Sequence, residues 1–179
     1  MSELEYKMIK ALIANAESLD IDAQDVVTIV QGKTRVVAYH LLANYSSVDE
    51  LLAEFDCAVI LWEIKEWDGH FTAVYRDAQQ QLHYFDPYGM SPMKDRTYAT
   101  WDDANTPHLL QQLLEGTGFI QNKVEYQQWS ADVNTCGRWT GLRLRTRLTV
   151  SAERFEQLFH TANADMWVSA LTLLDTTRL

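Results

Sequence analysis

Three short segments hold residues that could do covalent chemistry together. Asn134-Thr135-Cys136-Gly137-Arg138-Trp139 sets a cysteine between a polar approach and a run of helix-compatible composition. Upstream stand Asp68-Gly69-His70-Phe71 and Phe85-Asp86-Pro87-Tyr88-Gly89. A histidine, a carboxylate and a cysteine in that order are the parts of a cysteine nucleophile, its base and the group that orients the base. The thiolate is the reactive form, and a helix N-terminus beside an imidazolium favours it. Gly137 allows close backbone approach, and the Cys136 amide is a candidate oxyanion donor. A second donor is expected just upstream. Tyr126-Gln127-Gln128-Trp129 offers two glutamines there, whose amides donate without titrating. Gln127 is preferred, and Gln128 stays open.

Blander roles compete for the same residues. A histidine at a strand start is commonly structural, and Asp-Pro commonly opens a turn. Cys57, inside an apolar run, fits inert packing and serves as the comparison for Cys136. His83 competes with His70 as base, but its separation from Asp86 is odd, which puts the two on opposite faces of a strand. The five histidines and two cysteines lack metal-ligand spacing, so no metal or other cofactor is implied.

The elements that position these residues can be read from pattern. Ser2 with Glu5 forms a capping box, and Leu4, Met8, Ile9, Leu12 and Ile13 recur at helical spacing, predicting an amphipathic helix over 3–18. Val26–Val30 and Val36–Tyr39 are β-branched runs around Gly32, read as strand-like or irregular. Ser47 with Glu50 starts a short helix reaching Phe55. The nearly continuous apolar run Cys57–Ile64 predicts a central strand covered on both faces. His70–Arg76 and Gln81–Phe85 are strands separated by the polar turn Asp77–Gln80. Thr106, Pro107 and Gly116 bracket a helix. Val124–Gln127 is a candidate strand, and helices are expected over 136–148, 151–160 and 162–174. Helices, then strands, then helices make an α+β fold.

The hairpin has a specific consequence. His70 and Asp86 lie symmetrically about Ala78, inside the polar turn, so an antiparallel pairing centred there sets the two side chains opposite each other. The carboxylate can then hold one ring nitrogen and leave the other as base.

Length and composition set the outer bounds. The 179 residues make one domain, 47% apolar, with only 7 Gly and 3 Pro to form linkers. No run approaches the roughly 20 apolar residues of a membrane helix, and the charged N-terminus lacks a signal peptide's apolar stretch. Two cysteines make no disulfide framework, which points to a reducing, cytoplasmic compartment. A net charge of −10 argues against nucleic acid as a partner. Arg138, Arg143, Arg145 and Arg147 are a local exception, read first as a solvated helix face and second as a patch for an acidic partner.

Together, His70-Phe71, Phe85-Asp86-Pro87-Tyr88-Gly89, Gln127 or Gln128, and Asn134-Thr135-Cys136-Gly137-Arg138 resemble the adenain-like cysteine peptidases, over about residues 57–148. That clan includes the adenovirus maturation protease, related proteases of large DNA viruses and virophages, and the SUMO proteases. The resemblance implies Cys136 as nucleophile, His70 as general base, Asp86 as orienter and Gln127 or Gln128 as oxyanion donor. Many members have a tryptophan directly after the histidine, where this chain has Phe71 with Trp67 nearby, and its glutamine-to-cysteine gap is longer. The implied fold is a mixed central sheet packed by helices, the nucleophile heading a central helix. The implied substrate is a protein or peptide, often glycine-rich at the cleaved bond, and the setting viral or phage-type maturation, cytoplasmic or virion-associated. Removal of ubiquitin-like modifiers, acetyl transfer by same-clan effectors, and an inactive binding protein are the alternatives.

Overall fold

The structure is a computed structural model that describes residues 2–65, 68–92 and 108–176. Its centre is the apolar run expected to be a buried strand. β2 (Cys57–Lys65) pairs in parallel with β1 (Arg35–Ala38) and antiparallel with β3 (Asp68–Arg76). β3 pairs antiparallel with β4 (Leu82–Phe85), and β4 pairs in parallel with the two-residue β5 (Ile120–Gln121). The five-stranded mixed sheet therefore runs β1-β2-β3-β4-β5.

Alternation along β2 explains why both faces are covered. Cys57, Val59 and Leu61 join Ala73, Tyr75 and Phe85 in one apolar cluster with Trp139, Leu142, Phe155 and Val168. These helix residues belong to α5 (Cys136–Thr146), α6 (Ala152–Phe159) and α7 (Ala164–Thr176). Ala58, Ile60 and Trp62 face the other way, toward Tyr39, Leu42, Leu51 and Leu110. That layer comes from a 3-10 turn (Tyr39–Asn44), α3 (Val48–Leu52) and α4 (Leu109–Leu114). The architecture is α+β, with helices on both faces of a mixed sheet.

α1 (Glu3–Ser18) starts at the expected Ser2–Glu5 capping box. Its apolar stripe does not enter the core, however: Leu4, Met8, Ile9 and Leu12 are exposed, and Ala16 alone is buried. Val26–Ile29, expected to be strand-like or irregular, lies in the helix α2 (Ala23–Ile29). Asp22 and Asp25 cap it reciprocally at 2.8 and 3.2 Å, a signal that outweighs the β propensity of valine. Val26 and Ile29 then pack on α5. Cβ atoms added at Gly137 and Gly141 would lie 2.8 Å from Ile21 and Ile29 side chains, so these glycines set the α2–α5 approach.

Three further expectations need correction. Val124–Gln127 is not a strand; the Tyr126 and Gln127 amides donate instead to the Pro87 carbonyl, at 2.8 and 3.1 Å. The arginines of α5 are neither a solvated face nor an exposed patch. Arg138, Arg143 and Arg147 are buried, and Arg145 pairs with Asp175 at 2.7 Å. The hairpin register runs from Ala73 opposite Phe85 to Arg76 opposite Leu82, which centres it on Gln79 and not on Ala78. Asp77 is the cause, since its side chain accepts from the Gln79 and Gln81 amides, and the turn closes two residues later than one centred on Ala78. Thr106, Pro107 and Trp67 lie outside the described residues.

Candidate active site

His70 lies near the start of β3, opposite Trp62. Its neighbour Gly69 has no alternative there, because an added Cβ would fall 1.9 Å from the Trp62 carbonyl oxygen. Asp86 follows the last residue of β4. The ladder ends at Ala73 opposite Phe85, and its register sets the next residue, Asp86, level with Thr72, so His70 and Asp86 are not directly opposed. The two nonetheless meet on a diagonal, His70 Nε2 lying 3.0 Å from Asp86 Oδ1 with both groups buried. A shift of one in the turn's centre moves partners by two residues, so it preserves the face.

Asp86 is fixed by more than the histidine. Its amide donates to Asn122 Oδ1 at 2.9 Å, and its carbonyl accepts from Asn122 Nδ2 at 2.6 Å. Oδ1 also accepts from the Tyr88 amide at 2.7 Å. Tyr88 stacks on the His70 ring with centroids 5.0 Å apart, and Trp129 stacks on Tyr88 at 3.9 Å. Two layers of aromatic ring thus lie beside the imidazole.

Cys136 is the first residue of α5, as the sequence implied, and is half-buried, whereas Cys57 is fully buried. α5 is held on the sheet by Thr140, whose hydroxyl donates to the Phe71 carbonyl at 3.0 Å. This brings the Cys136 thiol into hydrogen-bonding contact with His70. Since Asp86 holds Nε2, Nδ1 is the nitrogen left to serve the sulfur. Burial works to lower the pKa of the imidazolium. The hydrogen bonds to Asp86 and Cys136 and the charges of both overcome it, lifting His70 from 6.5 to about 10.

The glutamines separate clearly. Gln127 is buried, and its Nε2 donates to the Val133 carbonyl at 2.9 Å, on the segment leading to Cys136. Among the described residues, Gln127 Oε1 is buried without a hydrogen-bond partner. Gln128 turns its side chain away, toward the Ala162 carbonyl at 3.4 Å. His83 belongs elsewhere: it pairs with Asp77 at 2.9 Å and stacks on Tyr75.

A cavity of about 20 Å³ adjoins the cysteine, lined by Asp20, Ile21, Gly69, Phe71, Asn134, Cys136 and Gly137. That is room for roughly one water. A larger cavity, about 310 Å³, lies between β4–β5 and α6 and includes none of His70, Asp86 or Cys136. Among the described residues no group of three or more His, Cys, Asp or Glu could hold a metal ion, and no helix is long and apolar enough to cross a membrane.

Sequence reasoning gave no role to Asn122, Tyr88, Thr135 and Asp165, which hydrogen-bond or stack around His70, Asp86 and the segment leading to Cys136. Tyr88 sat inside a quoted motif; Asn122 and Asp165 act across 36 and 30 residues and left no local signal.

No family model matches the chain. It is 26% identical over 134 residues to the uncharacterized protein V9 of the Sputnik virophage, covering 72% of this chain and 77% of that protein. Among solved structures, the central domain of the uncharacterized Lpg1148 protein from Legionella pneumophila aligns with a TM-score of 0.43 and 17% identity, covering 88% of this chain and 96% of that one.

Proposed function

We propose that the protein is a cysteine endopeptidase of the adenain-like type, with Cys136 as nucleophile, His70 as its proton partner, Asp86 as orienter and Gln127 as oxyanion donor. One observation carries the reading. A buried histidine is clamped by a buried carboxylate at 3.0 Å and also engages a cysteine at the head of a helix. A helix headed by the cysteine and packed on a mixed sheet supports the adenain-like arrangement.

In this scheme His70 is an imidazolium at neutral pH, since its pKa lies near 10. The Cys136 thiolate attacks the scissile carbonyl carbon, and the carbonyl π electrons move onto oxygen. The Cys136 amide and Gln127 Nε2 receive that oxyanion. Collapse breaks the C–N bond as His70 gives its proton to the leaving amine, which leaves a thioester. Water, deprotonated by the now neutral His70, attacks the thioester, and the acid product departs with regeneration of thiolate and imidazolium.

The small cavity beside Cys136 supports an acyl-side residue without a side chain, in keeping with a glycine-rich cleavage site. Likeness to a virophage protein favours a viral setting, and hence maturation of a viral protein, over modifier removal. Purified protein is to be incubated with glycine-rich peptides and with ubiquitin-like modifier conjugates, beside Cys136→Ala. Cleavage of the peptides, lost in Cys136→Ala, supports the reading. Cleavage that survives the substitution ends it, and exclusive action on conjugates moves the substrate class to modifiers.

A further inference from the structure

We propose that Asp165 of α7 is a positioning residue that joins the two halves of this site, an inference that rests on Cys136 being the nucleophile. Asp165 is 3% exposed, yet all three of its described hydrogen bonds come from residues of, or next to, the proposed machinery. Its Oδ1 accepts from the Thr135 hydroxyl and from Trp139 Nε1 at 2.9 Å. Its Oδ2 accepts from the Gln128 amide at 2.9 Å. Thr135 immediately precedes the nucleophile, Trp139 lies one turn after it, and Gln128 adjoins the oxyanion candidate Gln127.

The chemistry at Thr135 makes the arrangement informative. A threonine at a helix N-cap ordinarily turns its hydroxyl oxygen toward the amides of the first turn. Thr135 makes no such side-chain cap; it donates to Asp165 instead. Among the described residues the first-turn amides of α5 are thereby left without a side-chain acceptor, which is the condition an oxyanion donor needs. A carboxylate close to a helix N-terminus is also favourably placed against the helix dipole. The approach to Cys136 is held from a second side by α1, where the Asn134 amide donates to the Glu17 carbonyl at 2.8 Å and Asn134 Nδ2 to the Ser18 carbonyl at 3.0 Å. Burial and the charge of Asp165 raise the Glu17 pKa, which places that carboxylate within electrostatic reach of the same junction.

Charge and position predict opposite signs, so they can be separated. Removing a carboxylate near the sulfur favours thiolate attack by charge alone. Loosening Thr135 and Gln128 disfavours it, because a displacement of about 1 Å can cost on the order of a hundredfold in rate. The experiment is the iodoacetamide rate of Cys136 against pH, read by mass spectrometry with Cys57 as internal control. It is run in wild type, His70→Ala, Asp165→Asn, Thr135→Val and Thr135→Ser, with urea melts to certify folding. Wild type is expected to show an advantage that His70→Ala abolishes. Asp165→Asn, which can set an NH2 against the Gln128 amide, should lose most of the plateau rate without moving the pH midpoint; Thr135→Val, which removes the Thr135 bond, should lose it too, and Thr135→Ser, which keeps the hydroxyl, should not. If Asp165→Asn does not fold, the Thr135 pair decides. Full plateau rate in folded Asp165→Asn or in Thr135→Val, or a moved midpoint at constant plateau, overturns the positioning role alone. No wild-type advantage at any pH overturns the nucleophile reading and this role with it.

Discussion

Asp86→Asn tests whether the His70–Asp86 pair is charged in the folded protein. His70 is 5% and Asp86 0% exposed, with Nε2 3.0 Å from Oδ1. Burial opposes the imidazolium, yet His70 rises from 6.5 to about 10 through its bonds to Asp86 and Cys136 and their charges. At about 1.4 kcal/mol per pKa unit, a rise of that size is worth a few kcal/mol to the native state. A histidine raised on folding stabilises fully below its unfolded value, and the contribution is lost as pH climbs through the folded one. Here the window runs from 6.5 to about 10. Asparagine keeps the shape and removes the charge, so the variant should be less stable by about 3 kcal/mol at pH 6, with the deficit shrinking toward pH 10. Urea denaturation at both pH values measures it, wild type against Asp86→Asn, both with Cys136 intact because its hydrogen bond and charge help to set the raised value. A deficit that is equal at the two pH values, or that grows with pH, refutes the charged pair.

Three other substitutions have outcomes fixed by geometry. Gly69→Ala puts a methyl 1.9 Å from the Trp62 carbonyl oxygen, which only a backbone shift relieves; thermal melts should show a loss of at least about 3 kcal/mol. Asn122→Ala removes both partners of the Asp86 backbone and should cost about 2 kcal/mol by urea denaturation while lowering any peptidase activity, since the orienter is no longer anchored. Arg143 donates to the Tyr75 hydroxyl at 2.8 Å and the Val150 carbonyl at 3.0 Å, and lies over the Tyr75 and Phe155 rings. Arg143→Lys retains a buried charge but cannot span both acceptors, so its melt should fall further, by about 3 kcal/mol, than that of the neutral Arg143→Met.

Local signals were legible in the chain wherever one residue type had one physical use. Ser2 with Glu5 marked the start of α1 correctly, and the unbroken apolar run from Cys57 marked a strand covered twice. Patterns failed where tertiary packing chose between two local options. Val26–Ile29 carries strand-forming side chains, yet the Asp22–Asp25 cap and the glycine stripe of α5 make a helix the better-packed answer. The arginines of α5 were misjudged for a related reason. Composition cannot show that Tyr75, Val150, Thr172 and Thr176 wait to accept from Arg143 and Arg138, all but Val150 more than 30 residues away.

The meeting of His70 and Asp86 was reached through a register that proved two residues off, and the reason it survived is physical. Side chains alternate with a period of two, so an even displacement slides a pair along one face without exchanging faces. Asp77 lengthened the turn by two residues, which is an even displacement for opposed partners, and the carboxylate stayed within reach on the diagonal. Tyr88, in the turn that follows β4, stacks its ring on the imidazole. Had the turn's centre moved by half a residue, Asp86 would have shared a face with Phe71 and the pairing would have been lost. Parity, more than register, is what a hairpin sequence specifies about its open end. The clamps at that end, Asn122 on Asp86 and Asp165 on Thr135, must come from elsewhere in the fold.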